Sequence, residues 1–255
     1  TINMRIERLN TFLNWAHSKH YLHKAPKILK LKEHRKLPRI LNDNDLYALL
    51  QYLQRHQEKA NNDHWRRCVK LQERFLMALI GTGARRSEVF YLTWNQIDFG
   101  RRIITVYHTA EFEVKEGKEK ELIMPDFLAA YLWSERQANP KEKFLLDDGN
   151  GRRLYTDPMS LSRAFSRHFQ RMGWKNRQIK PLHGFRAKYI DALFNHLGID
   201  LEVVRDLAHH SKTDVTRGYL SGTNVRQRQA ISRLNQDYNQ LFKDVWQEEK
   251  AAEKE

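Results

Sequence analysis

The stretch Leu182–Leu220 reads LHGFRAKYIDALFNHLGIDLEVVRDLAHHSKTDVTRGYL. It sets His183 three residues before Arg186 and ends with His209, His210 and Tyr219. Arginine offers a planar fork to phosphate oxygens, histidine donates or shuttles a proton near neutral pH, and tyrosine can serve as a covalent nucleophile. Between these residues, Tyr189, Ile190, Leu193, Phe194 and Leu197 mark the buried face of a helix that begins near His183. Asp200 caps a second helix, with Leu201, Val203, Val204 and Leu207 facing inward. Nothing in the stretch suggests a metal site or a Gly-rich nucleotide loop. In a chain with 12 His and 10 Tyr, any one of these groups alone is more often structural, and it is their joint order that argues for chemistry.

That order, His183-Gly-Phe-Arg186, then Gly198-Ile-Asp-Leu201, then Leu207-Ala-His-His210-Ser211, then Tyr219, resembles the C-terminal signature of the tyrosine recombinases, the phage integrase family. In that pattern a HxxR is followed by a helix, a Gly-containing turn, a second helix ending in Leu-x-Gly-His/Trp, and a nucleophilic Tyr nine residues further on. The resemblance puts His210 at the His/Trp position and His209 where the family usually carries Gly. Two departures stand out: Ala187 replaces a histidine common in the family, and one extra residue lies between Arg186 and Gly198.

A second region, GTGARRSEVFYLTWNQIDF from Gly81, resembles the same family in the family's order. There the turn delivers the first catalytic Arg, followed by a supporting Glu, which by position are Arg85 and Glu88. Two glycines let the backbone turn tightly, so that a long cationic side chain at the next helix start can meet a phosphate. Arg86 departs from the pattern, since the family more often has an apolar residue there. Ile103–Tyr107 and Leu122–Met124 read as a small antiparallel sheet around EFEVKEGKEKE. The register KEGKEKELIMP resembles the family's Lys-x-x-Lys-x-Arg-x-Val-Pro and nominates Lys115 as a catalytic lysine on a mobile turn; three close lysines also fit a plain solvated loop.

Composition bounds the alternatives. A net charge of +14 favours a polyanionic partner, because neutralising phosphates releases counterions. A single Cys68 allows no intramolecular disulfide, which makes the cytosol the default compartment. No apolar run approaches the roughly 20 residues that span a bilayer. The spacing of His17, His20 and His23, with no carboxylate or Cys beside it, falls short of a zinc site.

Ile2, Ile6, Leu9, Phe12, Leu13 and Ala16 recur at helical spacing, so residues 1–24 are expected to be a helical segment, the end of a truncated core DNA-binding domain. Residues 25–40 read as a basic linker, with Lys24, Lys27, Lys30, Lys32, Arg35, Lys36 and Arg39 as DNA-binding candidates. Residues 41–222 form the catalytic domain: Asn42 caps a helix carrying Leu46, Leu49, Leu50 and Leu53, and a polar helix or loop follows from Gln54 to Asn62. A strong helix from Cys68 to Ile80 comes next, another begins at Asp126, and Asp157-Pro158 starts a helix with Arg163 and Arg167 on a polar face that could meet a DNA groove. Residues 223–255 are expected to be a C-terminal helix and tail, with an apolar stripe from Ile231 to Val245 that could be exchanged between protomers.

The expected fold is mainly α with a small antiparallel β-sheet, a tyrosine-recombinase-like catalytic domain behind a partial helical N-terminal segment. The resemblance implies a site-specific DNA recombinase that cleaves and rejoins strands through a 3′-phosphotyrosine, with Arg85, Lys115, His183, Arg186, His210 and Tyr219 as its catalytic residues and no metal or other cofactor. Alternatives are a type IB topoisomerase-like nicking and rejoining enzyme and a noncatalytic DNA-binding regulator on the same fold. The implied partners are double-stranded DNA, three further copies of the chain in a homo-tetramer on paired sites, and accessory DNA-bending proteins. The implied compartment is the prokaryotic cytoplasm or nucleoid.

Overall fold

The structure, a computed structural model, describes residues 2–32, 40–114, 117–174 and 181–220. It separates into two units, Thr1–Leu37 and Pro38–Glu255. In the first unit, helix α1 (Ile2–Ser18) buries Ala16, while Ile2, Leu9 and Phe12 on its apolar stripe stay exposed. The chain after α1 runs back along it: the Asn10 amide donates to the Ile28 carbonyl and accepts from the Ile28 N–H (2.8 and 2.9 Å). Asn3 makes the same pair of bonds with Leu31. Part of the basic stretch is therefore pinned by two asparagine side chains, because an amide matches the donor and acceptor of an extended backbone. Lys24, Lys27, Lys30 and Lys32 are exposed, with Lys30 in a solvent-facing ion pair with Glu7.

The second unit begins with α2 (Asp43–Glu58), whose first turn is closed by reciprocal bonds between Asn42 and Asp45. Its Leu49 and Leu53 are fully buried. The helix continues to Glu58, so the first half of the polar Gln54–Asn62 segment is helical. α3 (Asp63–Thr82) packs against α2 and carries Val69, Leu71, Phe75, Leu76 and Leu79 into the main core. The glycine turn joins it to the short α4 (Arg86–Tyr91). A three-stranded antiparallel sheet follows in the order β1 (Ile97–Asp98), β2 (Ile103–Val106), β3 (Lys120–Ile123), with Val106 opposite Lys120. The sheet gains the strand Ile97–Asp98 beyond the expected hairpin.

α5 (Asp126–Ala138) and α6 (Pro158–Arg171) cover the core further, α6 starting from the expected Asp157 cap. α7 (Pro181–Asp191) packs on α3 and α6, with Phe185 against Phe165 and Phe169. After Asp191 the helix widens into a π-helical turn, Ala192–His196. The wider turn rotates the residues after it, so Leu197 is 68% exposed rather than inward. α8 (Leu201–Leu207) starts at the Asp200 cap and buries Val204, but Val203, expected inward, is 49% exposed. α9 (Thr213–Arg217) ends just before Tyr219. A small second cluster, Ile190, Val204 and Ala208 with Tyr189, Leu193, Phe194 and Tyr219, seats these last helices. Lys115, Arg35, Lys36, Arg39 and the expected C-terminal helix lie outside the described residues.

Gly83 is the position on which this arrangement is least tolerant. Its φ is +62°, in the left-handed region, and a Cβ there would lie 2.2 Å from the Tyr189 ring of α7. Gly83→Ala should therefore destabilise the chain by about 1–2 kcal/mol for the backbone and a further 1–3 kcal/mol for overpacking, read by urea denaturation. In a double-mutant cycle with Tyr189→Ala, the steric part should be recovered and the backbone part should persist.

Candidate active site

Arg186 projects from α7 and is 4% exposed. Its Nη1 donates to the Gly83 carbonyl of the α3–α4 turn, and its Nη2 donates to the Ala208 carbonyl at the end of α8 (both 2.5 Å). Nη2 also donates to His210 Nε2 at 2.8 Å. One guanidinium thus ties together the three chain segments that carry the other site residues. Its Nε is buried with no hydrogen-bond partner. Burial and the nearby Arg85 charge hold its pKa below the ordinary arginine value, opposed by Tyr219 and Glu88.

Arg85 stands at the start of α4, where its backbone N–H and its Nη1 both donate to the Glu88 carboxylate (2.7 and 2.9 Å). Its Nη2 lies 3.5 Å from the His209 carbonyl. Glu88 is 2% exposed. Burial would raise its pKa, but the Arg85 amide and the charges of Lys120 and Arg85 outweigh that and leave it below the usual range, so the carboxylate is ionised at neutral pH.

Lys120, on β3, donates to Glu88 at 3.0 Å and is buried. The sequence reading concentrated on Lys115 and missed this lysine. The available signal was strand alternation: Lys120 is in phase with the inward Leu122, so an ionisable group on the core side of a strand called for a partner. Among the described residues, Arg85 and Lys120 pair with the carboxylate Glu88, whose charge also acts on Arg186 without touching it. The resulting positive excess suits an anion.

His210 is buried, and its neighbour His209 is half-buried and turned elsewhere. His209 takes φ +49°, the left-handed conformation for which glycine is the usual choice, and its Nε2 contacts the Glu121 carbonyl of β3 at 3.1 Å. Because Arg186 donates to His210 Nε2, the neutral ring carries its proton on Nδ1 and donates it to Thr216 Oγ1 at 2.9 Å. Burial, followed by the charges of Arg186, Arg85 and Lys120, lowers the His210 pKa to about 3. Thr216, fully buried on α9, was the other residue the sequence did not disclose.

Tyr219 is half-buried between two imidazoles: its ring centroid is 5.0 Å from that of His183 and 5.2 Å from that of His210, stacked on the latter at 24°. The Arg186 guanidinium carbon lies 5.9 Å from the same ring. A cleft of about 440 Å³ is lined by Ala84, Arg85, Arg86, Ser87, Leu182, His183, Arg186 and Tyr219. The structure therefore brings together Arg85, Glu88, His183, Arg186, His210 and Tyr219 from three separate regions of the chain. Arg163 and Arg167 sit apart from this cleft on the exposed face of α6, Arg163 near Asp157.

Residues 39–225 match the phage integrase family. The chain belongs to that family. As a phage integrase family member it is a tyrosine recombinase, an enzyme of site-specific DNA recombination. Its fold is similar to that of the Tn1549 transposon integrase solved in complex with transposon right end DNA, at 17% identity and TM-score 0.68, covering 91% of this chain and 78% of that one. It is similar to the XerH site-specific recombinase bound to palindromic difH substrate in a post-cleavage complex, at 20% identity and TM-score 0.59, covering 80% and 55% of the two chains. A lambda integrase dimer bound to a COC′ core site aligns at 13% identity and TM-score 0.63, covering 87% and 73%. No curated protein sequence matches the chain.

The depressed pKa of His210 has a direct consequence for acid stability. With a folded pKa near 3 and an unfolded value of about 6.5, the unfolded state binds the proton first. The contribution to stability is fully present above pH 6.5 and is lost as pH falls toward 3. Urea unfolding at pH 7.5 and pH 4.5 should show His210→Gln losing less stability on acidification than wild type does. An NMR titration should find the wild-type ring still neutral at pH 5.

Proposed function

We propose that this cleft performs the family's transesterification with Tyr219 as nucleophile. The Tyr219 oxygen attacks a phosphodiester, forming a bond to the 3′ phosphate as the bond to the 5′ oxygen breaks; a 5′ hydroxyl later reverses the step on another strand. The covalent intermediate conserves the bond energy, so rejoining needs no ATP. The phosphate is an anion whose transition state spreads more charge over its oxygens, and fixed cationic donors lower that barrier most when they are held in place beforehand. Arg85 and Arg186 take that role.

The observation that carries this reading is the position of the Tyr219 phenol between His183 and His210, beside a guanidinium already fixed by two carbonyls. His183, exposed at the cleft, is suited to accept the tyrosine proton. In the free protein His210 Nε2 accepts from Arg186; an arriving phosphate favours the imidazolium, whose Nε2–H then donates to a phosphate oxygen. Glu88 holds Arg85, and Lys115 supplies the proton to the leaving 5′ oxygen.

The substrate is double-stranded DNA, bound in part by the basic residues after α1, Lys24, Lys27, Lys30 and Lys32 with Arg35, Lys36 and Arg39, and by Arg163 and Arg167. Residues 1–24 act as a DNA-binding helical segment, 25–40 as a basic linker and 41–222 as the catalytic domain. Strand exchange takes place in a homo-tetramer on paired sites, with residues 223–255 coupling protomers and accessory DNA-bending proteins assisting, in a prokaryotic cytoplasm.

The test uses nicked duplexes selected from a random-sequence pool by binding, from which the short 5′-hydroxyl strand diffuses away after cleavage. Wild type should accumulate a denaturation-resistant adduct. Tyr219→Phe should bind DNA and form none, and Arg186→Ala should lower the rate of adduct formation by roughly 100- to 1000-fold. Adduct formation by Tyr219→Phe at the wild-type rate would overturn the assignment, and no adduct with wild type on a bound site would favour a DNA-binding regulator.

A further inference from the structure

Arg86 lines the same cleft as Arg85, His183, Arg186 and Tyr219, yet the resemblance gives this position no role and more often places an apolar residue there. It opens α4 directly after Arg85. Its Nη1 donates to Ser162 Oγ on α6 at 2.7 Å and lies 3.9 Å from Met159 Sδ. Its Nε is buried without a hydrogen-bond partner. Among the described residues no carboxylate pairs with it, whereas Arg67, Arg74, Arg85 and Arg153 each meet one. Burying a guanidinium N–H unpaired is costly, and a neutral serine leaves the charge uncompensated. An apolar residue at this place would avoid both costs, so the arginine is a liability to the free fold unless an anion arrives.

We propose that Arg86 binds a backbone phosphate flanking the scissile one on the cleaved strand, with Ser162 holding the guanidinium at the rim of the cleft. The proposal rests on the reading of the cleft as the strand-transfer site. Arg186 lies beside the Tyr219 ring, and Arg86 lines the same cleft, so a strand whose scissile phosphate meets Arg186 and Tyr219 brings a neighbouring phosphate within the cleft that Arg86 lines. The bond to Ser162 links that contact to α6, whose exposed face carries Arg163 and Arg167. Arg86 thereby extends the cleft from a single-phosphate pocket into a track along the DNA backbone.

The competing view makes Arg86 a tether between α4 and α6. Charge and hydrogen bonding separate the two. Arg86→Gln removes the charge and keeps a hydrogen-bonding amide, Arg86→Lys keeps the charge, and Ser162→Ala removes the tether and keeps the arginine. Affinity for a 40-bp random-sequence duplex is measured against salt concentration, with urea unfolding of each protein alongside. Each neutralised phosphate contributes about 0.9 to the slope of log affinity against log salt. Arg86→Gln should therefore give a slope shallower by about 0.9, while Arg86→Lys and Ser162→Ala keep the wild-type slope.

A wild-type slope in Arg86→Gln would overturn the proposal, as would an equal loss of slope in Arg86→Lys. Should Arg86→Gln fail to fold, Arg86→Met, which puts an apolar side chain at this place, decides by the same measurement: a slope shallower by about 0.9 supports the phosphate contact, and the wild-type slope overturns it. If wild type itself bound DNA without salt dependence, the strand-transfer reading would fall together with the role of Arg86. Salt-dependent binding by wild type with no change in Arg86→Gln would leave that reading standing and remove only this inference.

Discussion

The buried guanidinium of Arg186 is the constraint around which the rest of the site is built. It donates to Gly83, Ala208 and His210, so it fixes the turn before α4, the end of α8 and the imidazole against which Tyr219 stacks. None of these three acceptors is anionic. Removing a charge from water costs several kcal/mol even after relaxation, and neutral acceptors return only part of it. Among the described residues the site therefore holds an excess of positive charge, which suits a phosphate.

Glu88 limits that excess without abolishing it. Its two oxygens hold both the backbone and the side chain of Arg85 and also receive Lys120, so a single carboxylate orders two cations from α4 and β3. A second carboxylate would cut the excess further and the attraction for an anion would fall; without Glu88, Arg85 and Lys120 would repel each other in a buried setting. His210 follows the same logic. Its neighbours keep it neutral in the free protein, its proton on Nδ1 facing Thr216, and in the proposed reaction it is the arriving negative charge that favours protonation at Nε2.

Much of this was legible in the sequence because the chemistry sits on short, strongly signalled elements. The spacing of His183, Arg186, His210 and Tyr219, the turn that presents Arg85, and the caps at Asn42, Asp157 and Asp200 all matched local physics that the fold preserved. What escaped was decided by tertiary packing. The π-helical turn at Ala192–His196 breaks the 3.6-residue period, so Leu197 is exposed, and on α8 it is Val204 that is buried while Val203 faces solvent. Lys120 looked like one of several loop lysines until pairing with Val106 placed it on the inward face of β3. Thr216 carries no signal by itself, because its importance lies in meeting an imidazole six positions earlier in the chain. The left-handed φ at His209, where the resemblance expects a glycine, could not be read from the histidine itself.

The claim that this charge arrangement exists to direct one phenol at one phosphate is tested most directly by mapping the covalent junction. Wild-type protein trapped on a nicked, binding-selected duplex is digested with protease, and the DNA-linked peptide is identified by mass spectrometry. The account predicts a single junction, between the Tyr219 oxygen and a 3′ phosphate. A junction at any other tyrosine, or at a 5′ phosphate, would contradict it.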